Sequence, residues 1–177
     1  MYEKPITIDK STIVTGRSFK DEYKPSFSNS VSYTFVDSAK NGLEYRVYEG
    51  AWTKLSDFRK LKATQTGRVY QLNVDKIDLK YDFAVVFSGF VNIPQDGRYT
   101  FYTKSNDGSK LLIGNTVVVD NDGEHGVEEK SGEIVLQKGK QPIQVPYFQS
   151  GGSKTLEVLY KGSGIEKQVI PAEKLFR

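Results

Sequence analysis

The stretch YDFAVVFSGFVNIPQDGRYTFYTKSNDGSKLLIGNTVVVDNDG, from Tyr81 to Gly123, constrains the fold most, because runs of alternating apolar residues follow one another with turn chemistry between them. From Asp82 to Val91, Phe83, Val85, Phe87 and Gly89 fall on one face, and Ala84, Val86, Ser88 and Phe90 on the other. A strand that is apolar on both faces belongs at the centre of a sheet covered on two sides. Pro94-Gln95-Asp96-Gly97 supplies a turn, with proline presetting φ and glycine free to take a positive one. Arg98 to Lys104 sets Tyr99, Phe101 and Thr103 against Thr100 and Tyr102. The run from Ser105 to Ser109 makes the next reversal, before a strand from Lys110 to Ile113. Gly114-Asn115 is a two-residue hairpin signal, Thr116 to Val119 pairs back, and Asp120 to Gly123 opens a polar loop. The pattern predicts an antiparallel β-meander.

The rest of the chain reads around this sheet. Ile6 to Ile8, Ser11 to Phe19 and Ser30 to Phe35 offer three short strand patterns, too few to bury a core alone. Residues 37–42 are small and polar, end in Asn-Gly, and read as a linker. After a strand from Leu43 to Tyr48, the region from Glu49 to Gln71 keeps neither period and reads as a long loop. Within it Trp52, Leu55, Phe58 and Leu61 recur every third residue, as a short helical turn would place them, and are expected to cover an open core edge. Gly132 to Leu136 and Gln141 to Phe148 form a further pair about Lys138-Gly139, where Pro142 and Pro146 predict an edge or bulged strand. Leu156, Val158 and Tyr160 share a face of the last firm strand.

These residues carry a resemblance. The succession SGFVNIPQDGRYTFYTKSNDGSKLLIGNTVVVDNDGEHG, with GLEYRVYEGAW before it and QPIQVPYFQSGGSKTLEVLYKGSGIEKQVIPAEKL after it, resembles the protective-antigen N-terminal domain family over Asn41 to Leu175. The resemblance implies an all-β fold, a lectin-like antiparallel β-sandwich, in residues 43–177. The family is shared by glycosidases, adhesins and toxins, so it implies a fold more directly than a task. Residues 1–36 resemble the second half of the immunoglobulin-like module that trails the catalytic domain of bacterial chitobiases and β-N-acetylhexosaminidases. On that resemblance Met1 is read as an introduced start with a longer enzyme upstream. The chain is then a non-catalytic, carbohydrate-binding or accessory module of an extracytoplasmic glycoside hydrolase of the β-N-acetylhexosaminidase type. Its partners would be an oligosaccharide and the catalytic domain of the same polypeptide. A calcium-dependent adhesin-like lectin and a structural spacer are the alternatives.

Composition excludes other classes. Charged residues make up 27% of the 177, at a net +3, so no nucleic-acid footprint is indicated. No apolar run approaches the ~20 residues that cross a membrane, and the polar stretch from Met1 to Lys10, broken by Pro5, lacks a signal-peptide pattern. The absence of cysteine removes disulfides and thiol chemistry.

Candidate chemistry lies in loops. Ser105-Asn106-Asp107-Gly108-Ser109 offers oxygen ligands of the kind calcium prefers. In the adhesin branch that the chain resembles, the matching loop holds two consecutive aspartates joined by a cis peptide, and both bind a calcium that grips sugar hydroxyls. Asn106 replaces the first, which removes one charge, and Gln149 stands near a later asparagine of that branch. Asn106 and Asp107 are therefore candidate calcium ligands, and Tyr102, Asn106, Asp107, Tyr147, Phe148 and Gln149 candidate sugar contacts. The alternative is a tight turn in which Asn106 and Asp107 cap backbone groups and the aromatics pack. Asp120-Asn121-Asp122-Gly123-Glu124-His125 does not fit an EF-hand, and is expected to order itself through side-chain-to-backbone hydrogen bonds with His125 packing or capping it. A single histidine leaves zinc too few ligands. Among 22 acidic residues, Glu44, Asp57, Asp82, Asp96 and Glu173 fall at turns or exposed faces, and none sits in a recognisable catalytic pair.

Overall fold

β5 (Phe83–Ile93) sets the architecture of the computed structural model, which describes residues 4–177. The reading of Met1, and the first three residues of the 1–36 segment, lie outside the described residues. On one side β5 pairs over its whole length with β10 (Gly139–Gln149), from Gly139↔Ile93 to Gln149↔Phe83. On the other it pairs with β3 (Leu43–Glu49) as far as Ser88, and with β13 (Leu175–Phe176) at Phe90 and Val91. Gly89 sits at the seam between those two partners, where a Cβ would come within 2.4 Å of the Phe176 carbonyl oxygen. Glycine is the residue that lets the first and last strands of the domain share one side of β5.

The sheet continues outward through β4 (Gln65–Val69) beside β3, and through β7 (Ser109–Ile113) and β8 (Thr116–Asn121) beyond β10. A second sheet has the order β12 (Ile165–Val169), β11 (Thr155–Gly162), β6 (Gly97–Asn106), β9 (Glu128–Leu136). All its pairings are antiparallel. The fold is the antiparallel β-sandwich that the resemblance implies, not the meander that the alternation predicts. β5 and β7 lie in one sheet and β6 in the other, so that within this run only β7 and β8 pair as chain neighbours.

β5 also shows why its two faces are both apolar. Phe83, Val85, Phe87, Val91 and Ile93 enter the main core with Tyr99, Phe101, Tyr147, Val158 and Tyr160. Ala84 and Val86 face the other way, into a second cluster with Tyr48, Phe58 and Phe148, covered by Trp52 and Leu55. The Tyr48 and Phe58 rings stack at 5.2 Å, and Trp52 meets Phe58 edge-on at 5.6 Å. The segment after β3 is therefore a cap over the outer face of the sheet, with a 3-10 turn at Phe58–Lys60. Leu61, expected in the same cluster, is instead 48% exposed. The spacing of three does not persist past the one turn that carries Phe58.

Other expectations are corrected. Residues 65–69, read as loop, form β4, because Gly67 leaves room for the Tyr45 ring, which a Cβ would meet at 2.7–2.8 Å. Ile6 to Ile8 forms no strand. β10 is central rather than an edge. Its prolines are tolerated because both point their missing N–H toward β7: the Pro142 carbonyl accepts from Gly114 N (2.8 Å), and Phe148 N, two residues from Pro146 and so on the same side, donates to Gly108 O (3.0 Å). The β10–β7 ladder has no pair between Gln144↔Leu112 and Tyr147↔Ser109, the interval that holds Pro146, and resumes beyond it in the same register.

Among the described residues, those up to Asp37 and those from Ser38 onward form separate compact units. In the first, β1 (Thr12–Gly16) and β2 (Asn29–Tyr33) make a two-stranded ladder in register Val14↔Val31, with Ile13 68% and Val31 50% exposed. In the second, Asn41 is buried and donates to Leu175 O (3.0 Å), and Gly42 N donates to the same oxygen (2.9 Å). Among the described residues no helix is long and apolar enough to cross a membrane.

The two sheets meet at the β8–β9 corner, where a Cβ on Gly132 would lie 1.7 Å from the Val118 carbonyl oxygen. Gly132→Ala is expected to cost about 2 kcal/mol by forcing that corner apart. Urea denaturation checks this, and an unchanged midpoint would show that the strands do not pack so closely.

Candidate functional site

β6 ends in one sheet and β7 begins in the other, so the connection between them, Asn106-Asp107-Gly108, must cross the sandwich in very few residues. The Asn106–Asp107 peptide bond is cis. Gly108 is packed so closely that a Cβ would come 2.4 Å from the Phe148 ring and 2.8 Å from Gly123 N. Only glycine fits between the two loops that flank this crossing.

Beneath it lies a buried polar knot. The Ser105 and Ser109 hydroxyls are 2.8 Å apart, and Asn121 Nδ2 donates to Ser105 Oγ (3.1 Å) and Glu128 O (3.2 Å). Tyr147, fully buried, donates its hydroxyl to Asn106 O (2.6 Å) and also contacts Gln149 Oε1. Burial pushes the Tyr147 phenol well above its ordinary pKa and the Asp107 charge adds to the effect, so the hydroxyl remains a donor.

Asp107 is the centre of the cluster, at 6% exposure. Its Oδ2 accepts from Ser150 N (2.8 Å) and Gly151 N (3.1 Å), and its Oδ1 accepts from His125 N (3.2 Å). One carboxylate thus joins the 106–108 crossing to the loop after β8 and the loop after β10. His125 braces its own loop, with Nδ1 2.7 Å from Gly126 O and Nε2 3.0 Å from Asn121 O. Gln149 Nε2 donates weakly to Asn106 Oδ1 (3.4 Å) and also to Gly151 O. At the rim, Ser150 Oγ donates to the exposed Glu124 carboxylate (2.8 Å).

The six residues read as sugar contacts divide. Asn106, Asp107, Tyr147 and Gln149 come together in one network. Phe148 is fully buried in the second cluster, and neither it nor Tyr147 turns a ring face to solvent. Tyr102 stands four residues earlier on β6, under Lys167 Nζ at 4.2 Å from the ring centroid. Ser150 and Glu124 were missed by sequence reasoning. A rim serine and glutamate carry no periodic signal, and only the turn of the loops brings them together. A recess of about 500 Å³ opens at the β3–β4 edge, lined by Glu44, Arg46, Thr66 and Arg68. It lies at the opposite edge of the sheet from β8 and is not part of the cluster.

The donors fit calcium poorly. Calcium takes six to eight oxygens and depends on ligand charge, whereas here Asn106 is neutral and Asp107 already accepts three backbone N–H bonds. Among the described residues no three acidic or histidine side chains are grouped to hold an ion.

A second carboxylate ties the cap to the site. Asp122 Oδ1 accepts from Leu55 N (2.8 Å) and Gly123 N (2.9 Å), and Oδ2 pairs with Lys110 Nζ (2.9 Å). Burial alone would raise the Asp122 pKa, but the Leu55 N–H, the Lys110 ammonium and the Gly123 N–H outweigh it and lower the value below 3.8. A carboxylate lowered in the folded state contributes stability fully above its ordinary pKa and loses it as pH falls through the folded value. Asp122→Asn is expected to cost about 1 kcal/mol at neutral pH, and the gap from the unsubstituted protein should close below the ordinary value. Urea denaturation as a function of pH checks this, and a gap independent of pH would show that the charge contributes nothing.

Comparison with known proteins places this geometry. The family model of the PA14 domain matches residues 39–174. Anti-sigma-I factor RsgI3 of Acetivibrio thermocellus is 33% identical over 96 residues, which are 53% of this chain and 15% of that protein. A solved anti-sigma factor domain-containing protein superposes at a TM-score of 0.67 with 21% identity, over 77% of this chain and 47% of that one. The chain thus spans less than half the length of either. A PA14 sugar-binding domain from an RTX adhesin superposes at 0.63 with 19% identity, over 77% and 98% of the two chains. The Epithelial Adhesin 9 A domain of Candida glabrata, solved in complex with Galβ1-3GlcNAc, superposes at 0.58 with 11% identity, over 77% and 88%.

Proposed function

The chain belongs to the PA14 domain family, and from that membership and the loop cluster around Asp107 we infer that it is a non-catalytic carbohydrate-binding module of a larger extracytoplasmic polypeptide. One observation carries the reading. Loops from both sheets are locked together at one end of the sandwich, where the Ser150 hydroxyl and the Glu124 carboxylate stand at the rim and the Asn106 amide lies buried beside Asp107. Amide, hydroxyl and carboxylate groups held on a rigid frame are what sugar hydroxyls need, since each hydroxyl both donates and accepts. The sugar-binding adhesin domain and the adhesin solved with Galβ1-3GlcNAc share the fold and support the same ligand class.

The larger polypeptide is a glycoside hydrolase of the β-N-acetylhexosaminidase type on this reading, with the hydrolysis carried out elsewhere in it. The support is the likeness of residues 1–36 to the module that trails such enzymes, together with the exposed apolar side chains of Ile13, Val31 and Tyr33 on the first unit, which favour cover by a neighbouring domain. A second reading is favoured by the likeness to anti-sigma-I factor RsgI3, in which the same module would be the ligand-binding part of a longer anti-sigma factor.

The test is calorimetric titration with oligosaccharides containing N-acetylglucosamine or galactose. Asn106→Ala and Glu124→Gln are each expected to weaken binding about tenfold, the loss of one hydrogen bond to the ligand. An absence of binding across the panel, or affinity indifferent to both substitutions, would remove the loop cluster as a carbohydrate site.

A further inference from the structure

We propose that Asp107 is the positioning anion of the loop cluster, and that three backbone N–H groups balance its charge in place of a bound cation. The inference concerns the same loops as the carbohydrate reading, but it is about how they are assembled and does not require that a glycan bind.

Three segments meet at this carboxylate, and each loop beyond its own contributes a donor: His125 N from the loop after β8, and Ser150 N and Gly151 N from the loop after β10. A carboxylate offers about four lone-pair sites, so three donors leave little free for a metal. The side chain is almost fully buried, and hydrogen bonds from N–H groups to a buried anion are among the stronger ones. A cation entering here would have to displace amides that have no other partner waiting. Next to it Asn106 contributes an amide where a second charge would be needed, and Gln149 braces that amide through its own nitrogen. Glu124, the other carboxylate at the rim, accepts the Ser150 hydroxyl through one oxygen and is not among the groups that touch Asp107. Fixed backbone dipoles thus balance the buried charge, and the cluster is complete without an ion.

Amide hydrogen exchange on the full chain, followed by NMR in excess EDTA and then in millimolar calcium, tests this, alongside calorimetric titration of calcium into metal-stripped protein. The amides of His125, Ser150 and Gly151 are expected to be protected equally in both conditions, with no calcium binding in the micromolar range. Asp107→Asn should raise exchange at these three amides at least about tenfold relative to amides of β5, and calcium should not restore protection. Micromolar calcium binding would overturn the proposal, as would amides that exchange freely in EDTA and gain protection with calcium. The wild-type comparison decides the matter alone if Asp107→Asn gives no folded protein. Because no sugar is present in either experiment, failure here is distinct from failure of the carbohydrate reading.

Discussion

The structure depends on a strand that is apolar on both sides. Phe83, Val85 and Phe87 alternate with Ala84 and Val86, so a single sheet-on-sheet contact leaves half of β5 wet. The main sandwich covers one face, and the other needs a separate cover, which the segment after β3 provides with Trp52, Leu55 and Phe58. Burying a large aromatic side chain such as Phe58 is worth about 1.5–3 kcal/mol, enough to hold a segment that has almost no regular structure of its own. The cap then becomes a fixed surface, and Asp122 fastens it to the loop after β8 through Leu55 N. The need to cover β5 thus reaches the loop cluster through one hydrogen-bonded carboxylate.

The cluster itself follows from topology. β6 and β7 are consecutive in the chain but lie in different sheets, so the residues between them must turn across the end of the sandwich. That crossing brings the loops after β8 and β10 within reach of one side chain. Gly108 permits the approach by having nothing to place between Phe148 and Gly123, and Tyr147 reaches up from the core to fix the Asn106 carbonyl. Core, crossing and rim are therefore mechanically continuous: Tyr147 belongs to the main core cluster, and its hydroxyl is part of the site.

Much of this was legible before the structure. The alternation from Phe83 to Val119 specifies strands, and the turn residues between them specify reversals, because period and turn chemistry are local properties. What escaped was set by partners distant in sequence. β4 is visible only once Tyr45 is known to lie over Gly67. Pro142 and Pro146 read as edge signals, because a proline reports a missing donor without saying which neighbour would have received it. In the site, Asn106 and Asp107 were singled out for their oxygens, which their residue types announce. That Asp107 would be surrounded by backbone N–H groups of Ser150, Gly151 and His125 has no sequence signature, since every residue but proline carries that donor.

The difference between a side-chain oxygen that is available and one already engaged bears on how such loops can vary. A cation-centred site places the organising charge and the ligand contact in the same atoms, so changing one changes the other. Here the organising contacts run from Asp107 inward to backbone groups, whereas the Glu124 carboxylate and the Ser150 hydroxyl stand outside them at the rim. Backbone donors survive any substitution except proline, so the residues at 124, 150 and 151 could change with little effect on the Asp107 contacts, whereas His125 also braces its loop through its ring. A frame built on main-chain amides therefore separates the stability of the loop cluster from the chemistry it displays. A shared fold at 11–21% identity therefore carries no information about which sugar, if any, this chain's rim holds.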